Sequence, residues 1–120
     1  MKEDATIFDV NIFVFREESE WTALALEMDV RGYGTTSRSA IEDVIEMLTA
    51  QVSYAVQMGH PESVWHPAEE MYWRRWEEAR RKKFMAKASG SEAPTDQIAE
   101  LVPLELLASK QQDEWITESA

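Results

Sequence analysis

Residues 8–14 read Phe-Asp-Val-Asn-Ile-Phe-Val and decide how the first half of the chain folds. Alternate positions of this run are apolar and share one face of an extended chain: Phe8, Val10, Ile12 and Val14. Asp9 and Asn11 fall on the other face, and this period of two is typical of a half-buried strand. Alternation at 21–28 and a short run at 30–34 predict two more strands. We therefore expect three successive strands near the N-terminus.

A helix is predicted directly after the third strand. Gly34 gives the chain freedom to bend, and the Thr36 hydroxyl can accept hydrogen bonds from the unpaired amides of a first helical turn. Apolar residues then recur at three- and four-residue steps: Ile41, Val44, Ile45, Leu48, Val52 and Ala55. This stripe predicts a helix over 37–58, with Ile45 and Leu48 buried against the apolar face of the first strand.

The order of three strands and a helix, with particular residues at its joints, resembles the HicB-like antitoxin family. Four features over residues 7–57 carry the resemblance: Trp21, the stretch 26–30, Gly34-Thr35-Thr36 and the pair Ala40-Ile41. The chain departs from the family pattern at Arg38 and Ser39, where acidic residues are common, and in lacking a proline-glycine before the third strand. The resemblance implies an α+β fold, in which a three-stranded antiparallel meander, part of an RNase H-like sheet, is packed by one helix.

Residues 67–87 predict a second, appended helix that holds most of the positive charge. Pro67 suits a first helical position. Three carboxylates precede cations by four residues, the favourable orientation for helical ion pairs: Glu70 with Arg74, Glu77 with Arg81 and Glu78 with Lys82. Seven cations and two carboxylates leave residues 74–87 at +5, so the rest of the chain carries −16 within a total of −11.

Aromatic side chains in and before this helix are candidates for a partner or oligomer interface. The candidate residues are Trp65, Tyr72, Trp73, Trp76, Arg80 and Arg81. A helix with this much aromatic surface predicts a homodimer or higher homo-oligomer, with Trp73 or Trp76 in the subunit interface if the helix does not fold back on its own sheet. A second interpretation is a nucleic-acid contact through residues 74–87, which a net charge of −11 disfavours.

The last third of the chain changes in character. Residues 88–97 are small and polar, as linkers are. Residues 98–120 begin with an apolar patch broken by Pro103, which is compatible with an edge strand returning late to the sheet or with a short packed helix. We therefore divide the chain into an α+β unit with its appended second helix at 1–87, a linker at 88–97 and a C-terminal segment at 98–120.

Chemistry-bearing residues are few and scattered. His60 and His66 could ligate a metal with Glu62 or Glu69, but both histidines precede proline, where local backbone contacts are the usual role. Asp9, Glu27 and Asp29 lie on or near the strands. The sequence shows no phosphate loop, no dinucleotide fingerprint and no nucleophile elbow. We predict a protein that is not an enzyme and uses no metal or cofactor.

Composition limits the cellular setting. A chain of 120 residues with 44% hydrophobic residues can bury one modest core. It contains no cysteine, no run of 18 apolar residues and no apolar signal segment after Met1. We expect a cytoplasmic protein without a membrane partner.

The resemblance implies a toxin-neutralising or regulatory function exerted through protein–protein contact. An antitoxin of this class covers a small basic RNA-cleaving toxin, which an acidic partner would attract. No basic DNA-reading module is apparent in the sequence. The alternative is a stand-alone oligomeric interaction module that has no toxin partner.

Overall fold

The computed structural model describes residues 5–92 and 95–107, which form one four-stranded sheet and two helices. The elements in chain order are β1 (Ala5–Glu17), β2 (Glu20–Ala25), β3 (Val30–Gly34), α1 (Ser37–Gln57), a 3-10 turn (Pro61–Val64), α2 (Glu70–Ser89) and β4 (Gln97–Leu107). All neighbouring strands pair antiparallel, in the order β3-β2-β1-β4. The predicted α+β class is confirmed, and so is the antiparallel succession of the first three strands.

Three parts of the sequence predictions lie outside the described residues. Residues 1–4 belong to the predicted N-terminal unit, residues 93–94 to the linker and residues 108–120 to the C-terminal segment. The side chain of Phe8 is also outside the described set, so the predicted apolar face of β1 is observed from Val10 onward.

α1 covers one face of the sheet, as its apolar stripe predicts. Val10, Ile12 and Val14 of β1 are buried in the same cluster as Val44 and Leu48 of α1. The buried line along α1 passes through every fourth residue and then Ala55: Ala40, Val44, Leu48, Val52 and Ala55. Ile41 and Ile45, predicted for the stripe, are half-buried at the margin of this cluster.

Glycine in β3 brings α1 close to the sheet. A Cβ atom built on Gly32 would lie 2.7 Å from the Ala40 carbonyl oxygen and closer still to the backbone nitrogen of Val44. The helix backbone therefore occupies the space that a side chain would fill. This close approach explains why the small residue Ala40 is fully buried in α1.

Both ends of α1 are satisfied by local hydrogen bonds. The Thr36 hydroxyl accepts from the Ser39 amide at 3.0 Å, and the Thr36 amide donates to the Ser39 hydroxyl at 3.1 Å. This reciprocal capping box confirms Thr36 as the N-cap, with serine in the place usual for glutamate. At the other end Gly59 adopts a left-handed conformation with φ of 80°, and the His60 amide donates to the Ala55 carbonyl.

α2 covers the opposite face of the same sheet, which corrects the sequence interpretation of that face. Asp9 and Asn11 predicted a solvated surface, yet further along β1 this face carries Phe13 and Phe15. These rings pack with side chains from β2, β4 and α2 and from the segments next to β2 and α2: Leu24, Leu26, Ala68, Trp76, Ala79 and Ala99. The sheet is therefore the middle layer of three.

α2 begins three residues later than predicted and ends two residues later. The His66 amide donates to the Glu27 carbonyl at 3.0 Å and the Ala68 amide to the Leu26 carbonyl at 2.8 Å. These bonds hold residues 66–68 extended beside the end of β2, so Pro67 precedes the helix instead of opening it. The helix continues to Ser89, after which Gly90 turns left-handed with φ of 75°.

The segment after α2 returns to the sheet as a strand and not as a helix. β4 pairs with β1 over eleven positions, from Ala5 opposite Leu107 to Phe15 opposite Gln97. Pro103 lies in this strand, where an edge position tolerates its missing amide hydrogen. Within residues 5–92 and 95–107, neither helix combines the length and apolarity required to span a membrane.

Candidate interaction surface

The structure does not gather all six candidate interface residues on one surface, although Trp73 and Arg81 line one concavity on α2. Trp76 is 8% exposed and packs on the chain's own sheet, whereas Trp65, before α2, is 63% exposed. Tyr72 and Trp73 are half-buried beside the sheet. The helix folds back, so the condition on which we predicted Trp73 or Trp76 in a subunit interface is not met.

Trp76 anchors α2 on the sheet. It belongs to the buried cluster that also holds Phe13 and Ala99, and the Arg80 guanidinium lies over its ring at 5.8 Å. Its indole Nε1 is buried without a hydrogen-bond partner among the described residues. The ring therefore contributes through apolar contact and through the cation above it.

Arginine side chains cover the aromatic part of this layer. The Arg75 guanidinium lies 5.2 Å from the ring centre of Phe13 and 5.4 Å from that of Phe15. Arg31 of β3 lies 5.1 Å from the ring centre of Tyr72, which itself stacks on Phe15 at 6.2 Å. Burial tends to lower the pKa of Arg31, but its interactions with Tyr72 and the nearby Asp29 raise it overall. These two cations are committed to internal contacts.

Most remaining cations of α2 are paired with carboxylates of the same helix. Four contacts join exposed side chains three or four residues apart: Glu70–Arg74 at 3.1 Å, Glu77–Arg80 at 3.9 Å, Glu78–Arg81 at 3.8 Å and Glu78–Lys82 at 3.6 Å. Two of the three predicted pairs are confirmed, while Glu77 contacts Arg80 in place of Arg81. Within residues 5–92 and 95–107, Lys83 and Lys87 form no ion pair.

The C-terminal part of α2 extends past the sheet. Glu78 and Lys82 lie beside Asp96 and Gln97, and Gln97 pairs with Phe15 close to the end of β1. Seven further helical residues rise about 10 Å beyond this level. From 80 to 89 every residue except Ala86 is exposed. This projecting end, residues 83–89, carries cations next to the exposed side chains of Phe84 and Met85.

A concave acidic region lies at the same end of the molecule, beside the β1–β2 turn. It measures about 750 Å³ and is lined by Glu17, Glu18, Ser19, Glu20, Thr22, Tyr33 and Thr35. Glu17 and Glu20 are directly opposite each other in the β1–β2 ladder. In the sequence these residues indicated only a polar turn. Their convergence with Tyr33 depends on the pairing of β2 with β3, which no local pattern shows.

The other carboxylates have local structural partners or face solvent. Glu27 accepts from the Asn11 backbone amide at 3.0 Å and from the Asn11 side-chain amide at 2.7 Å. Burial raises its pKa, and the bonds from Asn11 only partly offset that rise. Asp9 and Asp29 are exposed, and His60 lies 3.7 Å from Glu62. Across the described ranges no three metal-binding side chains form a group.

Comparisons with known proteins assign no family to this chain. No protein-family model, curated protein or solved structure matches this sequence or its fold.

Proposed function

We propose that this chain is a HicB-like antitoxin-type or regulatory protein, which acts by covering a small basic partner protein. The resemblance of residues 7–57 motivates the class of partner. The separation of charge between α2 and the rest of the chain is the observation that carries the proposal.

The part of the chain before α2 has many carboxylates and few positively charged side chains. Between residues 9 and 69 the only cations are Arg16, Arg31 and Arg38. Arg16 lies 5.9 Å from the ring centre of Trp21, and Arg31 lies over Tyr72. Arg38 lies 3.7 Å from Glu42 in an exposed pair. The electrostatic potential around the part of the chain outside residues 74–87 is therefore negative, which favours association with a basic protein.

The proposed function can be tested directly with a small basic protein that a neighbouring reading frame encodes. We expect co-expression with this chain to relieve growth inhibition by that product, and the two proteins to co-purify in low salt. Replacing Glu42 and Glu46 on the outer side of α1 by glutamine should weaken the complex. The matched change of Glu69 and Glu70 at the N-terminal end of α2 should weaken it less.

Failure of every neighbouring basic product to bind or to be neutralised would refute the antitoxin function. It would leave the stand-alone interaction module as the favoured alternative.

A further inference from the structure

We propose that the acidic concavity beside the β1–β2 turn receives the projecting end of α2 from a second copy of this chain. The concavity is the one lined by Glu17, Glu18, Glu20, Thr22 and Tyr33. The projecting end offers Lys83 and Lys87, with Phe84 and Met85 between them.

The concavity has the features of an incomplete site. Thr22 is 5% exposed and lines it, and the Thr22 hydroxyl forms no hydrogen bond within residues 5–92 and 95–107. Glu17 and Glu20 face each other across the ladder, an arrangement that destabilises a sheet unless a cation lies between them. In the described part of the chain no cation pairs with either carboxylate. A lysine ammonium group would satisfy both carboxylates and donate to the threonine hydroxyl.

The projecting end has the complementary features. Lys83 and Lys87 are one helical turn apart, so both side chains leave the same side of α2. Phe84 is 64% exposed and Met85 is 58% exposed, which leaves apolar surface beside the cations. Tyr33 lines the concavity and is 50% exposed, so its ring is available for contact with a lysine ammonium group.

A second copy is the occupant that the position of these features favours. The projecting end and the concavity lie at the same end of the molecule, one beyond β4 and the other beside β2 and β3. Two copies placed end to end around a twofold axis would each insert a helix end into the other's concavity. Such an isologous arrangement closes on itself as a dimer.

Reversing the charges on each side separately, and then mixing the variants, tests this contact. One variant is Lys83→Glu with Lys87→Glu, and the other is Glu17→Lys with Glu20→Lys. In a dimer of either variant alone, both contacts would bring like charges together. In a mixed dimer of the two variants, both contacts would again join opposite charges. Sedimentation velocity should show wild-type dimers at low salt and fewer dimers at about 0.5 M salt, where screening is strong.

We expect each variant alone to have a dimer dissociation constant raised by about tenfold or more, and their equimolar mixture to recover the dimer. Charge-matched controls are Arg38→Glu with Arg74→Glu, and Glu42→Lys with Glu46→Lys, which should dimerise as the wild type does. If a charge-reversed variant does not fold, Lys83→Gln with Lys87→Gln should still reduce dimerisation. A monomeric wild type at low salt would overturn the proposal, as would a dimer that survives in both variants.

Discussion

Gly32 shows how one missing side chain sets the distance between two layers. The helix backbone at Ala40 and Val44 lies where a Cβ atom on this residue would be, and backbone atoms cannot move aside as a flexible side chain can. The position therefore demands glycine for reasons of space.

We predict that Gly32→Ala lowers the free energy of unfolding by about 3 kcal/mol or more, because α1 must shift off β3. Gly90→Ala is the matched control. A Cβ on Gly90 meets nothing within 4 Å, but the residue has a left-handed φ of 75°, which costs about 1–2 kcal/mol for alanine. Urea denaturation of both variants gives the comparison. Equal losses would show that α1 does not lie this close to β3.

The burial of Glu27 predicts the direction in which the free energy of unfolding changes with pH. Burial raises the pKa of this carboxyl above its ordinary 4.5, so the folded state holds the proton more tightly than the unfolded state does. Its contribution to stability is therefore complete below the unfolded pKa and is lost as the pH rises through the folded pKa.

Glu27→Gln removes this titration. We expect the free energy of unfolding of the wild type, relative to that of the variant, to fall as the pH rises from below 4.5 toward neutrality. Urea melts at a series of pH values measure the difference. A difference that grows with pH would mean that the two hydrogen bonds from Asn11 outweigh the burial of the carboxylate.

At the scale of the element, α2 has a buried half and a projecting half. Trp76 and Ala79 hold the first half on the sheet, while residues 83–89 extend past it. The first half stabilises the fold, and the second is available for contact with another molecule.

Trp76→Ala should cost about 3–5 kcal/mol, because a buried ring leaves a cavity between α2 and the sheet. Trp65→Ala, at a residue that is 63% exposed, should change stability by less than about 0.5 kcal/mol. Thermal and urea melts distinguish the two tryptophans. A small effect of Trp76→Ala would contradict the packing of α2 on its own sheet.

The sequence predicts the elements better than their layering. Alternation in β1, the stripe of α1 and the cap at Thr36 are local patterns, so they identify β1 and α1 directly. The sandwiched sheet was missed because Asp9 and Asn11 made the second face of β1 look polar, although Phe13 and Phe15 lie on that face. The acidic concavity was missed because the alternation of single strands does not give the register that places Tyr33 of β3 beside Thr22 of β2.

At the scale of the whole molecule, most cations of α2 are not free to bind phosphate, and only Lys83 and Lys87 lack a partner among the described residues. Arg75 lies on aromatic rings, and Arg74, Arg80, Arg81 and Lys82 contact carboxylates of their own helix. Nucleic-acid affinity depends on releasing counterions through unpaired cations.

We therefore predict no saturable binding of single-stranded RNA or duplex DNA below about 1 μM at about 0.15 M salt. Fluorescence anisotropy of labelled strands is the measurement. Tight binding that is lost when Arg80, Arg81, Lys82 and Lys83 become glutamine would instead make α2 a nucleic-acid contact.

Both proposals depend on α2 lying on the sheet of its own chain, and nuclear Overhauser effects test this placement most directly. The Tyr72 and Phe15 rings are 6.2 Å apart, centre to centre, and Trp76 shares a cluster with Ala99. We predict cross-peaks for both pairs in uniformly labelled protein, and none in an intermolecular-filtered spectrum of mixed labelled and unlabelled chains. Cross-peaks that appear in the filtered spectrum, or that are missing from both spectra, would contradict the three-layer fold.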